Sequence, residues 1–193
     1  MACLNLPPEI DALPAQTLLC HPATPAPAVS AIAVSAHFAD DGALVLCYRL
    51  AAAPAALRLP APQAPGPADN LWQYTCCEAF IAAVNDPAYQ EFNFSPSGQW
   101  AAYRFSDCRQ RDAAFQPAIA PCIELDGGAD YLELRARLDA ALLPNGRSLQ
   151  LGLTAVIEAA DGSKSYWALC HAAAQPDFHL RQSFALTLPR NTP

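Results

Sequence analysis

The chain is divided into at least eight short segments in which apolar and polar residues alternate, and the segments end at turns that contain Gly, Pro or Asp. Alternation with a period of two places every second side chain on one face of a β-strand, whereas a helix needs a period near 3.6. Short strands joined by such turns form antiparallel sheets. The 19 prolines also argue against a helical bundle. The sequence therefore predicts an all-β fold built as an antiparallel β-sandwich.

The turns place the individual strands. Asp40-Asp41-Gly42 is expected to join two alternating segments into a hairpin. In the strand predicted from Thr75 to Ala83, Glu78 and Phe80 share one face, while Cys77, Ala79 and Ile81 share the other. The remaining predicted strands are the hairpin pair from Ile32 to Phe38 and from Leu44 to Leu50, followed by Tyr131 to Leu138, Leu149 to Ile157, Ser165 to Cys170 and Ser183 to Leu188.

The domain organisation follows from length and composition. A chain of 193 residues is long enough for one domain with a sizeable core. Residues 1–28 are rich in Pro and Ala, which predicts an irregular N-terminal arm with one short strand near Thr17 to Cys20. Residues 29–190 are predicted to form a single β-sandwich domain. The loop from Ala51 to Asn70 contains five Pro and one Gly, and a long loop of this kind is expected to border a functional site.

Net charge limits the partners that the chain is expected to have. A formal charge of −7 and a pI near 4.9 offer no basic surface for a phosphate backbone or an anionic membrane. We therefore expect no nucleic-acid partner and no membrane partner. The first basic residue is Arg49, and the apolar residues before it are interrupted by Pro7, Pro8 and Pro14. This pattern is not that of a signal peptide, and a cytoplasmic location is expected.

The segment from Tyr89 to Phe105 is predicted to form a hairpin around the turn Ser-Pro-Ser-Gly. We expect one of its faces to carry Glu91, Asn93, Trp100 and Arg104. Polar and aromatic side chains on one face are typical of a binding surface. The alternative is an ordinary half-solvated sheet with a Glu–Arg ion pair. The predicted core contains Phe92, Phe94, Tyr103, Phe105, Leu151, Leu153 and Phe184.

Several segments together resemble a bacterial DOMON-like family that is related to the family 9 carbohydrate-binding modules. The matching segments are Leu71-Trp72, Thr75 to Ile81, Glu91 to Tyr103, Ala155 to Glu158, Ser165 to His171 and Pro176 to His179. The resemblance implies an immunoglobulin-like β-sandwich and a ligand-binding face without catalytic residues. It also implies that the ligand is a small molecule or an oligosaccharide, because family 9 modules hold the end of a sugar chain between two Trp rings.

The resemblance suggests roles for particular residues. Trp72 and Glu78 resemble the first Trp and the Glu of the sugar-gripping set, and Trp167 resembles the second Trp. An aromatic ring stacks on the apolar face of a pyranose, and a carboxylate accepts strong hydrogen bonds from its hydroxyls. Trp72, Glu78, Arg104 and Trp167 are expected to line one cleft, although both Trp rings are equally well interpreted as core residues. The complete set of predicted ligand-binding residues is Trp72, Glu78, Glu91, Asn93, Trp100, Arg104, Trp167 and His171.

Other kinds of site have weaker support, and no metal or cofactor is expected. The eight Cys contain no Cys-x-x-Cys pair, and Cys76 and Cys77 would point to opposite faces of a strand. His171, Asp177 and His179 are loosely spaced for a metal site. DOMON relatives include haem binders, so axial ligation by His171 or His179 remains an alternative. A glycan-acting enzyme that uses Glu78 or Glu91 is another, and so is a purely structural interaction domain.

Overall fold

The computed structural model describes residues 14–190, and this range is almost entirely β-structure. It contains no α-helix, and its four helical elements are single 3₁₀ turns. The predicted all-β class is therefore confirmed. The twelve strands are β1 (Gln16–Cys20), β2 (Ala31–Phe38), β3 (Leu44–Ala51), β4 (Gly66–Pro67), β5 (Cys76–Ala83), β6 (Tyr89–Phe94), β7 (Gln99–Phe105), β8 (Cys122–Gly127), β9 (Tyr131–Leu138), β10 (Ser148–Glu158), β11 (Lys164–Ala168) and β12 (Leu186–Pro189).

The strands form one curled sheet in the order β4-β7-β6-β5-β10-β11-β1-β2-β3-β9-β8, and β12 also pairs with β10. All pairs are antiparallel except β4 with β7, which is parallel. Strand β1 joins two parts of the sheet, because its residues 16–18 pair with β2 and its residues 19 and 20 pair with β11. We call the strands β1, β2, β3, β9 and β8 the β2 half of the sheet. We call the strands β4, β7, β6, β5, β10, β11 and β12 the β5 half.

The main core lies between the two halves. It is built from the alternate apolar residues of both, including Ile32 and Leu46 from the β2 half and Phe92, Phe94 and Leu153 from the β5 half, each of which is at most 1% exposed. Burying one such side chain contributes about 1.5–3 kcal/mol. The hydroxyl of Tyr48 on β3 donates a hydrogen bond of 2.7 Å to the backbone oxygen of Glu78 on β5, which ties the halves together across the core.

The opposite face of the β5 half carries a second apolar cluster, which is formed around Phe80, Tyr89 and Phe105. Phe178 and Phe184, from the chain after β11, pack against Phe80 with ring centroids 6.3 and 5.8 Å apart. The predicted faces of β5 are confirmed, since Cys77, Ala79 and Ile81 enter the main core while Phe80 enters this cluster. The face that carries Glu78 is therefore covered by other parts of the chain instead of open solvent.

The predicted pairing of β6 with β7 is wrong by one residue. Glu91 lies opposite Tyr103, and Phe94 lies opposite Trp100. The turn from Ser95 to Gly98 contains four residues, with Gly98 at φ +90°, and its closing hydrogen bond joins Ser95 N–H to the Gln99 oxygen at 2.9 Å. A shift of one residue moves every side chain of a strand to the other face. Trp100 and Arg104 consequently share the side of Phe92 and Phe94, while Tyr103 and Phe105 share the side of Glu91 and Asn93.

All seven predicted core residues are buried, but they belong to two clusters. Phe92, Phe94, Leu151 and Leu153 lie in the main core, whereas Tyr103, Phe105 and Phe184 lie in the second cluster. Strands β4 and β8 were not predicted. Strand β8 is at one end of the sheet, and none of its residues is fully buried. A strand in this position does not need an alternation of apolar residues, and its sequence has no clear one.

The predicted N-terminal arm lies only partly within the described residues, because residues 1–13 are outside them. A strand does occur at Gln16–Cys20, where a short one was predicted. It pairs with strands on both sides, so it is an integral part of the sheet. The predicted domain boundary between residues 28 and 29 stays a prediction.

Candidate functional site

A cavity of about 950 Å³ opens on the covered face of the β5 half. Strands β5, β6, β7, β10 and β11 form its floor, and three connecting segments form most of its walls, with Thr24 contributed by the connection between β1 and β2. The walls come from the end of the long loop before β5, the chain after β7, and the chain after β11. The lining residues used below are Asp69, Trp72, Glu78, Phe80, Glu91, Tyr103, Phe105, Arg109, Arg111, Asp177, Phe178 and His179.

Two buried carboxyl groups lie on the cavity floor. Glu78 is 2% exposed and Glu91 is 5% exposed. One carboxyl oxygen of Glu78, Oε2, accepts a hydrogen bond of 3.1 Å from the Thr154 hydroxyl, but its Oε1 atom is buried without a hydrogen-bond partner. Oε1 of Glu91 accepts a hydrogen bond of 2.7 Å from Nδ2 of Asn93, which is the residue opposite Glu78 on β6. The floor therefore presents acceptors to a ligand.

The two carboxyl groups affect each other's protonation. The pKa of Glu78 is raised to about 8. Burial is the largest cause, the charge of Glu91 acts in the same direction, and the hydrogen bond from Thr154 opposes the shift. Burial also raises the pKa of Glu91, against the hydrogen bond from Asn93 and the charges of Arg111 and Arg109. Two neighbouring carboxyl groups in a poorly hydrated place resist ionising together. Of the two, Glu78 is the carboxyl group that favours its protonated form at neutral pH.

A histidine faces this floor from the chain after β11. Nδ1 of His179 lies 2.7 Å from the hydroxyl of Tyr89, and that hydroxyl accepts a hydrogen bond of 3.1 Å from the backbone N–H of Arg109. Nε2 of His179 is 3.8 Å from Oε2 of Glu91. Burial lowers the pKa of His179 to about 4, and the charge of Arg109 adds to this effect. The imidazole is therefore neutral at physiological pH.

Two arginines stand at the rim of the cavity. The guanidinium of Arg109 donates a hydrogen bond of 2.9 Å to Asp177, and this links the chain after β7 to the chain after β11. The guanidinium of Arg111 lies 4.1 Å from the centre of the Tyr103 ring and 3.9 Å from a carboxyl oxygen of Asp69. Both arginine side chains are more than half exposed, so water screens their charges.

Aromatic rings form the apolar part of the site. Trp72 lies in the 3₁₀ turn Leu71–Gln73 and lines the cavity while it is 48% exposed. Phe80, Phe105 and Phe178 provide the buried apolar surface. An exposed ring at the mouth of a cavity, above buried polar groups, gives a ligand one flat apolar contact and several polar ones.

The structure brings together only part of the predicted site. Trp72, Glu78 and Glu91 line the cavity, and Asn93 holds Glu91 in place. Their role as ligand contacts stays a prediction. The end of the loop from Ala51 to Asn70 also reaches the cavity, where Asp69 and Asn70 line the wall.

The other four predicted residues do not line this cavity, and the expectation that Arg104 and Trp167 share a cleft with Trp72 and Glu78 is wrong. Trp167 is 5% exposed within the main core, where its Nε1 donates to Ser165, so the core interpretation holds for this Trp but not for Trp72. Trp100 is on the main-core side because of the β7 register. Arg104 pairs with Asp112 at the surface, and Nε2 of His171 lies 2.8 Å from the Leu19 backbone oxygen.

The lining residues that were missed as members of this site include Asp69, Tyr103, Arg109, Arg111 and His179. Tyr103 was assigned to the other face of β7 by the register error, and a correct turn length would have placed it here. Arg109 and Arg111 come from an irregular segment without any periodicity. His179 was considered only as a metal or haem ligand, and the sequence holds no signal that places it beside Glu91.

Residues 14–190 contain no group of three or more His, Cys, Asp or Glu side chains arranged to hold a metal ion. Axial haem ligation by both His171 and His179 does not fit the geometry, because only His179 lines the cavity. Across the same range, no helix is long and apolar enough to span a bilayer.

Comparison with known proteins supports the fold. A crystal structure of a "putative carbohydrate-binding protein" from Bacteroides uniformis ATCC 8492 has a similar fold, with a TM-score of 0.63 over 91% of this chain and 85% of that one. The two sequences are 18% identical, so the likeness concerns the fold alone. No protein-family model matches the chain, and no curated protein sequence matches it.

Proposed function

We propose that this protein binds a carbohydrate in the cavity of the β5 half, without catalysing a reaction. One observation carries the proposal: Oε1 of Glu78 is buried at the cavity floor and has no hydrogen-bond partner. Leaving a buried acceptor unpaired costs about 1–3 kcal/mol, so a ligand that donates a hydrogen bond there recovers this energy. Sugars carry many hydroxyl donors on a compact ring.

The groups around Glu78 match the rest of a pyranose. Glu91 offers a second acceptor and Nε2–H of His179 offers a donor, both within the same cavity. Trp72 provides a half-exposed ring on which the apolar face of a sugar can stack. A site with convergent polar groups and one aromatic wall recognises a sugar better than a purely apolar or purely charged molecule.

The finer classification belongs to the same proposal. On the sequence resemblance, we propose that the fold is an immunoglobulin-like β-sandwich of the DOMON-like type, related to the family 9 modules, and the fold likeness to a protein described as carbohydrate-binding supports the ligand class. The family 9 arrangement of two Trp rings is not reproduced by this pair, because Trp167 is a core residue. The proposed site therefore uses Trp72 alone as its tryptophan platform. The predicted exclusion of nucleic acid and membranes, and the predicted cytoplasmic location, rest on the sequence.

The pKa of Glu78 favours one alternative, a glycan-acting enzyme. A protonated Glu78 beside Glu91 has the form of a general acid and a carboxylate, which is how many glycoside hydrolases divide these roles. A noncatalytic module and a hydrolase differ in whether the sugar leaves the protein unchanged, so both can be tested with the same ligands.

The test is isothermal titration calorimetry with neutral monosaccharides and disaccharides, followed by chromatography of the recovered sugars. We expect saturable binding of at least one sugar and recovery of that sugar intact. Release of shorter products would replace the binding module with the enzyme. Absence of binding across the panel would favour a structural interaction domain. Trp167→Phe is a suitable control variant for these titrations. Sugar binding should be unchanged in it, because Trp167 lies in the main core and does not line the cavity.

A further inference from the structure

Charge within the cavity selects among sugars more sharply than the hydrogen-bonding groups do. Four acidic side chains line it: Asp69, Glu78, Glu91 and Asp177. Arg109 pairs with Asp177 at 2.9 Å, and Arg111 lies 3.9 Å from Asp69. These two contacts balance the acidic groups at the rim. Within residues 14–190, neither carboxyl group of the floor forms an ion pair with a Lys or Arg side chain, and the charges of Arg109 and Arg111 reach Glu91 only from the rim.

Of the two carboxyl groups on the floor, that of Glu78 shows the lack of a basic partner more clearly. Its Oε2 accepts from a neutral hydroxyl and its Oε1 accepts from nothing, although the side chain is 2% exposed and lines the cavity. Within residues 14–190 no Lys, Arg or His lies within ion-pair distance of it, whereas Glu91 has His179 at 3.8 Å. Hydroxyl groups of a ligand can donate hydrogen bonds to the carboxyl oxygens of this floor. They do not neutralise the negative charge that these carboxyl groups carry when ionised.

We infer that the ligand of this cavity is an amino sugar, whose protonated amino group binds to the carboxyl groups of Glu78 and Glu91. This inference rests on the proposed carbohydrate-binding function and narrows its ligand class. An ammonium group supplies three donors and one positive charge, which is what the unpartnered Oε1 and its neighbour lack. The rest of the sugar ring would contact Trp72 at the mouth.

Binding of an ammonium group has a measurable proton balance. Burial raises the pKa of both carboxyl groups, and the charge of Glu91 favours a protonated Glu78 at neutral pH. A positive charge placed beside them favours the fully ionised pair, so protons leave the carboxyl pair for the solvent when the amino sugar binds. A neutral sugar leaves the charge of the floor unchanged and releases no proton.

The experiment compares matched ligands. Glucose, galactose and mannose are titrated beside the corresponding 2-amino and 6-amino sugars, in two buffers of different ionisation enthalpy. We expect at least one amino sugar to bind tenfold or more tightly than its own hydroxyl counterpart, and its binding to release protons from the carboxyl pair. Equal or weaker binding of every amino sugar would overturn the inference while leaving the proposed function in place. Failure of both series to bind would overturn both.

Matched variants identify the carboxyl groups responsible. Glu78→Gln keeps the shape and a hydrogen-bonding group but cannot ionise, so the ratio of amino-sugar affinity to hydroxyl-sugar affinity should fall at least tenfold, whatever the change in hydroxyl-sugar affinity itself. Glu91→Gln should act in the same direction. Glu158→Gln is the control, because Glu158 is also a buried glutamate with an unpartnered oxygen, yet it pairs with Arg58 and does not line the cavity. A preference that survives in Glu78→Gln, in a variant that melts like the wild type, would refute the assignment.

Discussion

The hydroxyl of Tyr89 lies 2.7 Å from Nδ1 of His179 and fixes the orientation of that imidazole. Because the hydroxyl oxygen already accepts from the backbone N–H of Arg109, its proton is free to be donated to Nδ1. The hydrogen of the neutral ring is then on Nε2, the atom that faces Glu91. One tyrosine thus holds together strand β6 and two of the cavity walls, and it sets which atom of His179 meets a ligand.

Tyr89→Phe should weaken sugar binding about tenfold, because the His179 ring loses the partner that fixes its tautomer and position. The variant should also lose roughly 1–2 kcal/mol of stability, since a buried hydrogen bond is removed. Calorimetry and urea unfolding measure the two effects. Tyr131→Phe is the control, because that hydroxyl contacts Asp126 far along the sheet. Unchanged affinity in Tyr89→Phe would contradict this role.

Truncating the two tryptophans should give opposite results. Trp72→Ala should abolish measurable sugar binding and change the free energy of unfolding by less than about 1 kcal/mol, because the ring is half exposed. Trp167→Ala should cost about 3–5 kcal/mol, because it opens a hole in the main core. Urea unfolding gives the stabilities, and thermal shift with a bound sugar gives the binding. A strongly destabilised Trp72→Ala protein that still binds sugar would show that Trp72 is not a platform.

The stability of the ligand-free protein should depend on pH through Glu78. The native state keeps a proton up to a pKa of about 8, whereas the unfolded chain loses it near 4.5. Between these values the native state binds more protons, so this group's contribution to stability falls as pH rises. The side chain of the Glu78→Gln variant cannot lose a proton. Relative to the wild type, the free energy of unfolding of this variant should therefore rise by up to a few kcal/mol over that pH interval. Urea unfolding at several pH values measures the difference, and parallel curves would disprove it.

The two arginines near β7 should differ in their effect on binding. Arg104→Ala should leave sugar affinity unchanged and cost less than about 1 kcal/mol, because Arg104 forms an exposed ion pair with Asp112. Arg109→Ala should weaken binding severalfold, since Arg109 lines the cavity and holds the segment that carries His179. Calorimetry on both variants compares them directly. Weaker binding in Arg104→Ala than in Arg109→Ala would contradict the observed register of β7.

The strands and their buried faces were predictable because the alternation of apolar residues is a local property. Phe92 and Phe94 on β6, and Ala79 and Ile81 on β5, point into the main core as the pattern indicates. Glu78 was predicted to share a face with Phe80, opposite Ala79 and Ile81, and it does. The period-two pattern therefore placed this carboxyl group on the correct face of β5.

The remainder of the site depends on relationships that the pattern does not contain. The number of residues in the turn between β6 and β7 decides whether Tyr103 or Arg104 lies on the same face as Glu91. Trp72 and Trp167 have the same chemistry, and only the tertiary packing separates a surface ring from a core ring. Arg109 and His179 meet Tyr89 through irregular segments, whose paths are set by contacts between residues distant in the chain.

The position of β1 has a consequence for synthesis of the chain. Leu19 is translated long before its partner Ala168 on β11. The first half of β1 can pair with β2 soon after both are made, whereas its second half must wait until β11 has been translated. An exposed strand end that waits this long is open to other chains, so slow translation or an early stop before residue 164 should favour aggregation over a partly folded monomer.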